Sequence, residues 1–147
     1  MLRRRTLLTG TLAVLVLCPT PAEAARPPKE WAKQAVDALE GAQIAATKRA
    51  EGADDNVKVT IIVTEDGKKK GYKGWLACFR GRTAHGAHCA RKAAAGDAHR
   101  RGALKAVAKK LDKLKGEAKK KTTRSQWAEL AKRCGRLRNE IAKLYGV

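Results

Sequence analysis

The chain has 147 residues, with 33 Lys and Arg against 14 Asp and Glu, a net charge of +19. That length sets a limit of one small domain with a modest core. No apolar run reaches the roughly 20 residues that a helical bilayer crossing needs, so no transmembrane helix is expected.

The chain starts with Arg3, Arg4 and Arg5, then an apolar run from Leu7 to Cys18, then Pro19, Pro21 and Ala22-Glu23-Ala24. A basic start, a short apolar segment and small residues at the end form the order of a secretory signal peptide. Residues 1–24 are therefore expected to be a leader, cleaved after Ala24. Arg4-Arg5-Thr6-Leu7-Leu8 also loosely matches a twin-arginine export signal, but the ordinary basic start is preferred. The expected product is soluble and exported, to the periplasm or the extracellular space.

Residues 25–147 carry 30 basic and 13 acidic side chains, a net of +17. The charge is uneven along this stretch. Residues 25–67 hold six basic and eight acidic side chains, whereas residues 68–147 hold 24 and five. A field of that sign attracts polyanions: nucleic acid, acidic polysaccharide or an anionic lipid surface.

Pro27-Pro28 suits a helix start, and a helix is expected over 29–50. Trp31, Ala35, Leu39, Ala42 and Ala46 recur at three and four, which makes one apolar, alanine-rich stripe. Glu51 to Asn56 reads as a helix stop and loop. From Val57 to Thr64 the period becomes two and β-branched residues dominate, the pattern of a strand. Glu65-Asp66-Gly67-Lys68 reads as a turn, and a second strand is expected from about Gly71 to Phe79. The hairpin over 57–79 must pack on helices, because a lone one is marginal in water. Residues 80–96 read as irregular, with a short helix from about Ala87 to Ala95. Gly96 reads as a helix end and Asp97 as the next N-cap.

A helical hairpin is expected over 97–146. Leu104, Val107, Leu111, Leu114 and Ala118 form one heptad stripe, and Trp127, Leu130, Cys134, Leu137, Ile141 and Leu144 form another. Thr123 and Gln126 have capping-box spacing. An antiparallel pairing would place Leu114 near Trp127 or Leu130, and Leu104 near Leu137. The class is therefore α+β, mainly α: one amphipathic helix, a β-hairpin and a C-terminal αα-hairpin in a single domain.

Removing the leader leaves three cysteines, Cys78, Cys89 and Cys134. An oxidising compartment favours one disulfide, with Cys78–Cys89 preferred and Cys134 free or an alternative partner. Cys78, His85, His88 and Cys89 match no strong metal pattern, so no metal or other cofactor is expected. No catalytic constellation emerges. Ser125, the one serine, lacks a nucleophile-elbow context, and no Gly-rich phosphate loop follows a strand.

The candidate polyanion contacts are Lys68, Lys69, Lys70 and Lys73 around the hairpin, with Lys105, Lys109, Lys113, Lys120, Lys132 and Arg136 on the outer faces of the last two helices. Tyr72 and Trp75 are the candidate stacking residues for a base or sugar ring. The expected function is non-enzymatic polyanion binding. Two alternatives stay open. One is a cell-surface interaction protein acting through its helical hairpin, with a homo-oligomer as one open partner state. The other is a membrane-active, antimicrobial-like protein built on basic amphipathic helices.

Overall fold

The computed structural model describes residues 26–62 and 69–147, with residues 61 and 62 described by backbone alone. The expected leader, the turn and Lys68 lie outside the described residues. Within them the chain is mainly helical: α1 (Pro28–Ala50), β1 (Lys58–Ile62), β2 (Lys69–Lys73), α2 (Trp75–Gly96), α3 (Arg101–Glu117) and α4 (Arg124–Tyr145). The α+β, mainly α class expected from the sequence is the one observed.

α1 forms where the alanine stripe requires it. Proline occupies its first position, where a missing N–H costs nothing. Trp31, Ala35, Leu39, Ala42 and Ala46 are all buried, joined by Ala32, Ala38 and Ala45. Small side chains let the partner helix come close, and that partner is α2. It buries Gly86, Ala87, Ala90, Ala93 and Ala94. A Cβ on Gly86 would lie 3.3 Å from Leu39 Cδ2 and 3.6 Å from Leu111 Cδ1. Leu39 of α1 therefore sits over bare backbone of α2, with Leu111 of α3 beside it.

α2 corrects the largest misreading. The expected second strand over 71–79 and the irregular stretch over 80–96 are replaced by strand β2 at Lys69–Lys73 and a 22-residue helix. The switch occurs at Gly74. Its φ is +98°, and a Cβ there would lie 2.2 Å from the Asp55 carbonyl oxygen, so only glycine fits. Asp55 then accepts the Leu76 N–H on Oδ1 at 2.9 Å, capping the new helix from outside it. The helical stripe is hard to read because polar residues interrupt it. Arg82 and Thr83 are both buried. Thr83 satisfies its hydroxyl by donating to the Phe79 carbonyl at 2.9 Å.

β1 and β2 pair antiparallel, with Lys58 opposite Lys73 and Val59 opposite Tyr72. Val59 and Tyr72 are the buried pair that fastens this ribbon to the helices.

The heptad stripes of α3 and α4 are buried as expected: Leu104, Val107, Leu111 and Leu114 on one, Trp127, Leu130, Cys134, Leu137 and Ile141 on the other. Ion pairs Arg133–Glu117 and Lys110–Glu140 set the two helices antiparallel. Yet each seam fills mainly against a different neighbour. α3 packs chiefly on α2, α4 packs chiefly on α1, and α3 meets α4 only weakly. The helical hairpin is thus a connectivity, not the packing unit. Leu114 lines a groove with Arg136 and Leu137. The Thr123–Gln126 capping box forms in full, with Gln126 N–H on Thr123 Oγ1 at 3.2 Å and Thr123 N–H on Gln126 Oε1 at 2.8 Å. Phe79 of α2 meets Trp127 of α4 edge to face, with centroids 5.3 Å apart. Such a pair adds about 0.5–1.5 kcal/mol beyond its buried area.

At the other end of the bundle a clasp holds the chain terminus. Tyr145 Oη donates to Asp97 Oδ2 at 2.7 Å, and Arg100 Nη1 donates to the same oxygen at 3.0 Å. Arg100 Nε reaches the Leu144 carbonyl at 2.8 Å, with its guanidinium 4.7 Å from the Tyr145 ring centroid. Asp97 also accepts the Arg100 N–H at 3.1 Å. It is not the N-cap of α3, a position held by Arg100. The turn over 98–100 delays the helix by three residues.

Two stability outcomes are expected. Gly86→Leu overpacks the α1–α2 contact and costs about 2–3 kcal/mol, read as a lower urea midpoint. The second concerns acid. The Tyr145 hydroxyl, aided by Arg100, lowers the Asp97 carboxyl pKa below its ordinary value. The clasp is therefore fully present above the ordinary carboxylate range and lost as pH falls through the lowered value. Urea midpoints of the parent and Asp97→Asn should differ at pH 7 and converge as pH falls through and below the ordinary carboxylate range.

Candidate functional site

Every described lysine or arginine of the expected polyanion surface is solvent-exposed: Lys69, Lys70 and Lys73 on the ribbon, Lys105, Lys109 and Lys113 on α3, Lys120 in the α3–α4 connection, and Lys132 and Arg136 on α4. Spacings of four put Lys105, Lys109 and Lys113 on one face of α3, and Lys132 and Arg136 on one face of α4. None of these nine forms an ion pair among the described residues.

The carboxylates of the basic half are mostly engaged already. Asp97 pairs with Arg100, Asp112 with Arg91, Glu117 with Arg133 at 2.7 Å and Glu140 with Lys110 at 4.0 Å. Four of the five acids in residues 68–147 are thus spent on cations outside the candidate set. The lysine faces keep their full charge.

The fold gathers two basic segments at one end of the bundle. Arg124, at the start of α4, donates to the carbonyls of Ala50 at 3.1 Å and Glu51 at 2.7 Å, at the end of α1. The ribbon grows from that same end, because Asp55 is bonded to Leu76 at the start of α2. Lys119, Lys120 and Lys121 therefore share an end with Lys69, Lys70 and Lys73. Lys119, Lys121 and Arg133 also line a groove of about 470 Å³ together with Glu117 and Glu129. Its mixed charge makes it a poorer anion site than the open lysine faces.

Sequence reasoning missed Lys58. It is exposed and sits directly opposite Lys73 in the ribbon. The signal that finds it is strand register, which appears only once β2 is placed at 69–73.

The stacking expectation fails for Tyr72. Its side chain is 9% exposed, and a Cβ on Gly81 would lie 2.5 Å from its Cε1, so the ring lies against α2. Lys70 Nζ lies 5.8 Å from the Tyr72 ring centroid. Trp75 is the first residue of α2 and is half-buried against the core. Neither aromatic stands on the ribbon face that carries Lys69 and Lys73.

The preferred disulfide is also corrected. Cys78 and Cys89 lie on one helix, eleven residues apart. At about 1.5 Å per residue that is roughly 16 Å, far beyond the reach of a disulfide. No disulfide joins Cys78, Cys89 and Cys134. Burial pushes the Cys78 thiol up to about 11, with Arg82 pulling weakly the other way. Burial likewise pushes Cys134 up to about 12 against Arg133. Both are protonated at neutral pH and unsuited to nucleophilic work. Cys89 Sγ lies 3.5 Å from His85 Nε2 and 3.9 Å from Gln34 Oε1. The imidazoles of His85 and His88 stack at 6.3 Å, and His88 meets Trp31 edge to face. Among the described residues no three His, Cys, Asp or Glu side chains are grouped as metal ligands. No described helix is long and apolar enough to cross a membrane.

In the native protein at pH 7.5, Cys78 and Cys134 should resist N-ethylmaleimide and react within minutes once urea is added, as read by peptide mass analysis. No family model, curated protein or solved structure matches the chain.

Proposed function

We propose that the chain is an exported basic protein, not an enzyme, that binds polyanions electrostatically through its lysine faces. One observation carries the reading: the lysine faces have no carboxylate partners among the described residues, and four of the five acids in residues 68–147 are paired elsewhere. Like charges held on one small surface repel, and an external polyanion relieves that repulsion while releasing its own counterions.

The alternatives lose ground for a physical reason. Association through the helical hairpin needs a free apolar seam, and the seams of α3 and α4 are filled by α2 and α1. Membrane activity through these helices needs an exposed apolar face. Among the described residues only Ile44, Val57 and Val147 are large apolar side chains with substantial exposure, and none lies on a lysine face.

Binding should weaken steeply with salt. Engaging six phosphates of a duplex gives a slope of about −5 in log affinity against log salt. Replacing Lys105, Lys109 and Lys113 together by Gln should reduce the magnitude of that slope by up to about 3, without changing the helical circular dichroism. Release of the protein from both heparin and DNA columns at low salt would overturn the reading. The export proposal has its own check: the secreted or periplasmic product should begin at Ala25.

A further inference from the structure

Side chains on a strand alternate between faces, and directly opposed residues share one. Lys58 is opposed to Lys73, and Lys69, Gly71 and Lys73 alternate along β2. Lys58, Lys69 and Lys73 therefore stand on one face of the ribbon, while Val59 and Tyr72 hold the other against the core. Gly71 lies between Lys69 and Lys73, and a Cβ on it would come 3.8 Å from Lys58 Cε. The Lys58 stem thus leans across the bare backbone of Gly71, which lies between Lys69 and Lys73 on β2. All three are exposed, and none has an ion pair among the described residues. β1 and β2 contain no carboxylate at all. Lys58 and Lys73 are like charges directly across a ladder, an arrangement that weakens the ribbon until an anion lies between them.

The same face lacks what a reader of bases needs. Proteins that grip single strands stack bases on aromatic rings. Here Tyr72 points into the core and Trp75 belongs to α2. The ribbon also has no arginine, whose planar fork reads guanine edges. Lysine point charges respond to phosphate density, which positions a protein without specifying sequence. A duplex supplies the densest fixed phosphate rail, about one charge per 1.7 Å of axis, and its major groove admits a two-stranded ribbon.

Resting on the polyanion reading above, we propose that the Lys58–Lys69–Lys73 face of the ribbon docks on the phosphate backbone of double-stranded nucleic acid, independently of sequence and in preference to a single strand.

The test is fluorescence anisotropy of the full chain with two 20-base-pair duplexes of unrelated sequence, a 20-nucleotide single strand and a heparin oligosaccharide, over a salt series. The two duplexes should bind within about twofold of each other, and the single strand several-fold more weakly. Changing Lys58, Lys69 and Lys73 to Gln should reduce the magnitude of the duplex salt slope by about 3. Gly71→Glu, which places a carboxylate inside the patch, should weaken duplex binding at least as much, with circular dichroism confirming the fold. An unchanged slope in the ribbon variant, beside a reduced one in the Lys105/Lys109/Lys113 variant, overturns the ribbon assignment and leaves the polyanion reading standing. A single strand or heparin bound more tightly than the duplexes overturns the duplex assignment. Failure of the parent protein to bind any of the four probes overturns the underlying reading as well.

Discussion

The close contact of α1 with α2 is the constraint on which the rest of the molecule depends. Alanines on both helices and Gly86 under Leu39 bring the backbones together. Leu111 of α3 reaches the same spot beside Leu39. A core built this way holds few large side chains, so its stability comes from density of contact more than from apolar area. The larger pieces, Phe79, Trp127 and Leu39, sit where a third helix must be joined to the central pair. That arrangement decides the order of packing. α1 and α2 form the centre, and α3 and α4 each lean on one of them.

With the apolar seams turned inwards on the central pair, the outward faces of α3 and α4 are free to be charged. The salt bridges show where cations have been matched: at helix crossings, where Glu117, Glu140 and Asp112 tie neighbouring elements. Away from those crossings the lysines are unmatched. Exposed pairs of this kind contribute little stability each. Their main effect is on the surface field, which they neutralise between elements and leave intact on the faces. The basic character is therefore organised by the fold, in stripes along the helices and a patch on the ribbon.

Much of this was legible in the sequence, and the failures have identifiable causes. α1, α4 and the Thr123–Gln126 box were readable because period, cap and stop residues agree there. β1 was readable from alternation of β-branched residues. α2 was not, because its buried face carries Arg82, Thr83 and Gly86, with half-buried Gly81 beside them, where an apolar stripe would have Leu or Val. Those choices reflect neighbours: Gly81 makes room for Tyr72 and Gly86 for Leu39, and neither neighbour is close in sequence. Placing α2 late in the chain then misplaced everything that touches it. Trp75 and Phe79 looked like strand residues, Tyr72 like an exposed ring, and Cys78 and Cys89 like the ends of a closable loop. The lysine faces of α3 and α4 survived because they follow from helix period alone. The ribbon patch did not, because it needs register.

The absence of a disulfide among the described residues and a proposed destination outside the cytosol are physically compatible. Disulfide exchange proceeds through the thiolate, so its rate falls with the fraction ionised and with access. A thiol pushed up to about 11, as Cys78 is, has about one molecule in ten thousand ionised at pH 7. Cys134, at about 12, has about tenfold fewer still. Both side chains are fully buried, and Cys134 lies on the α4 seam packed towards α1. Cysteine in this fold behaves as a small apolar residue suited to tight helix packing. The same requirement for small side chains that set alanine and glycine between α1 and α2 accounts for cysteine on the buried faces of α2 and α4.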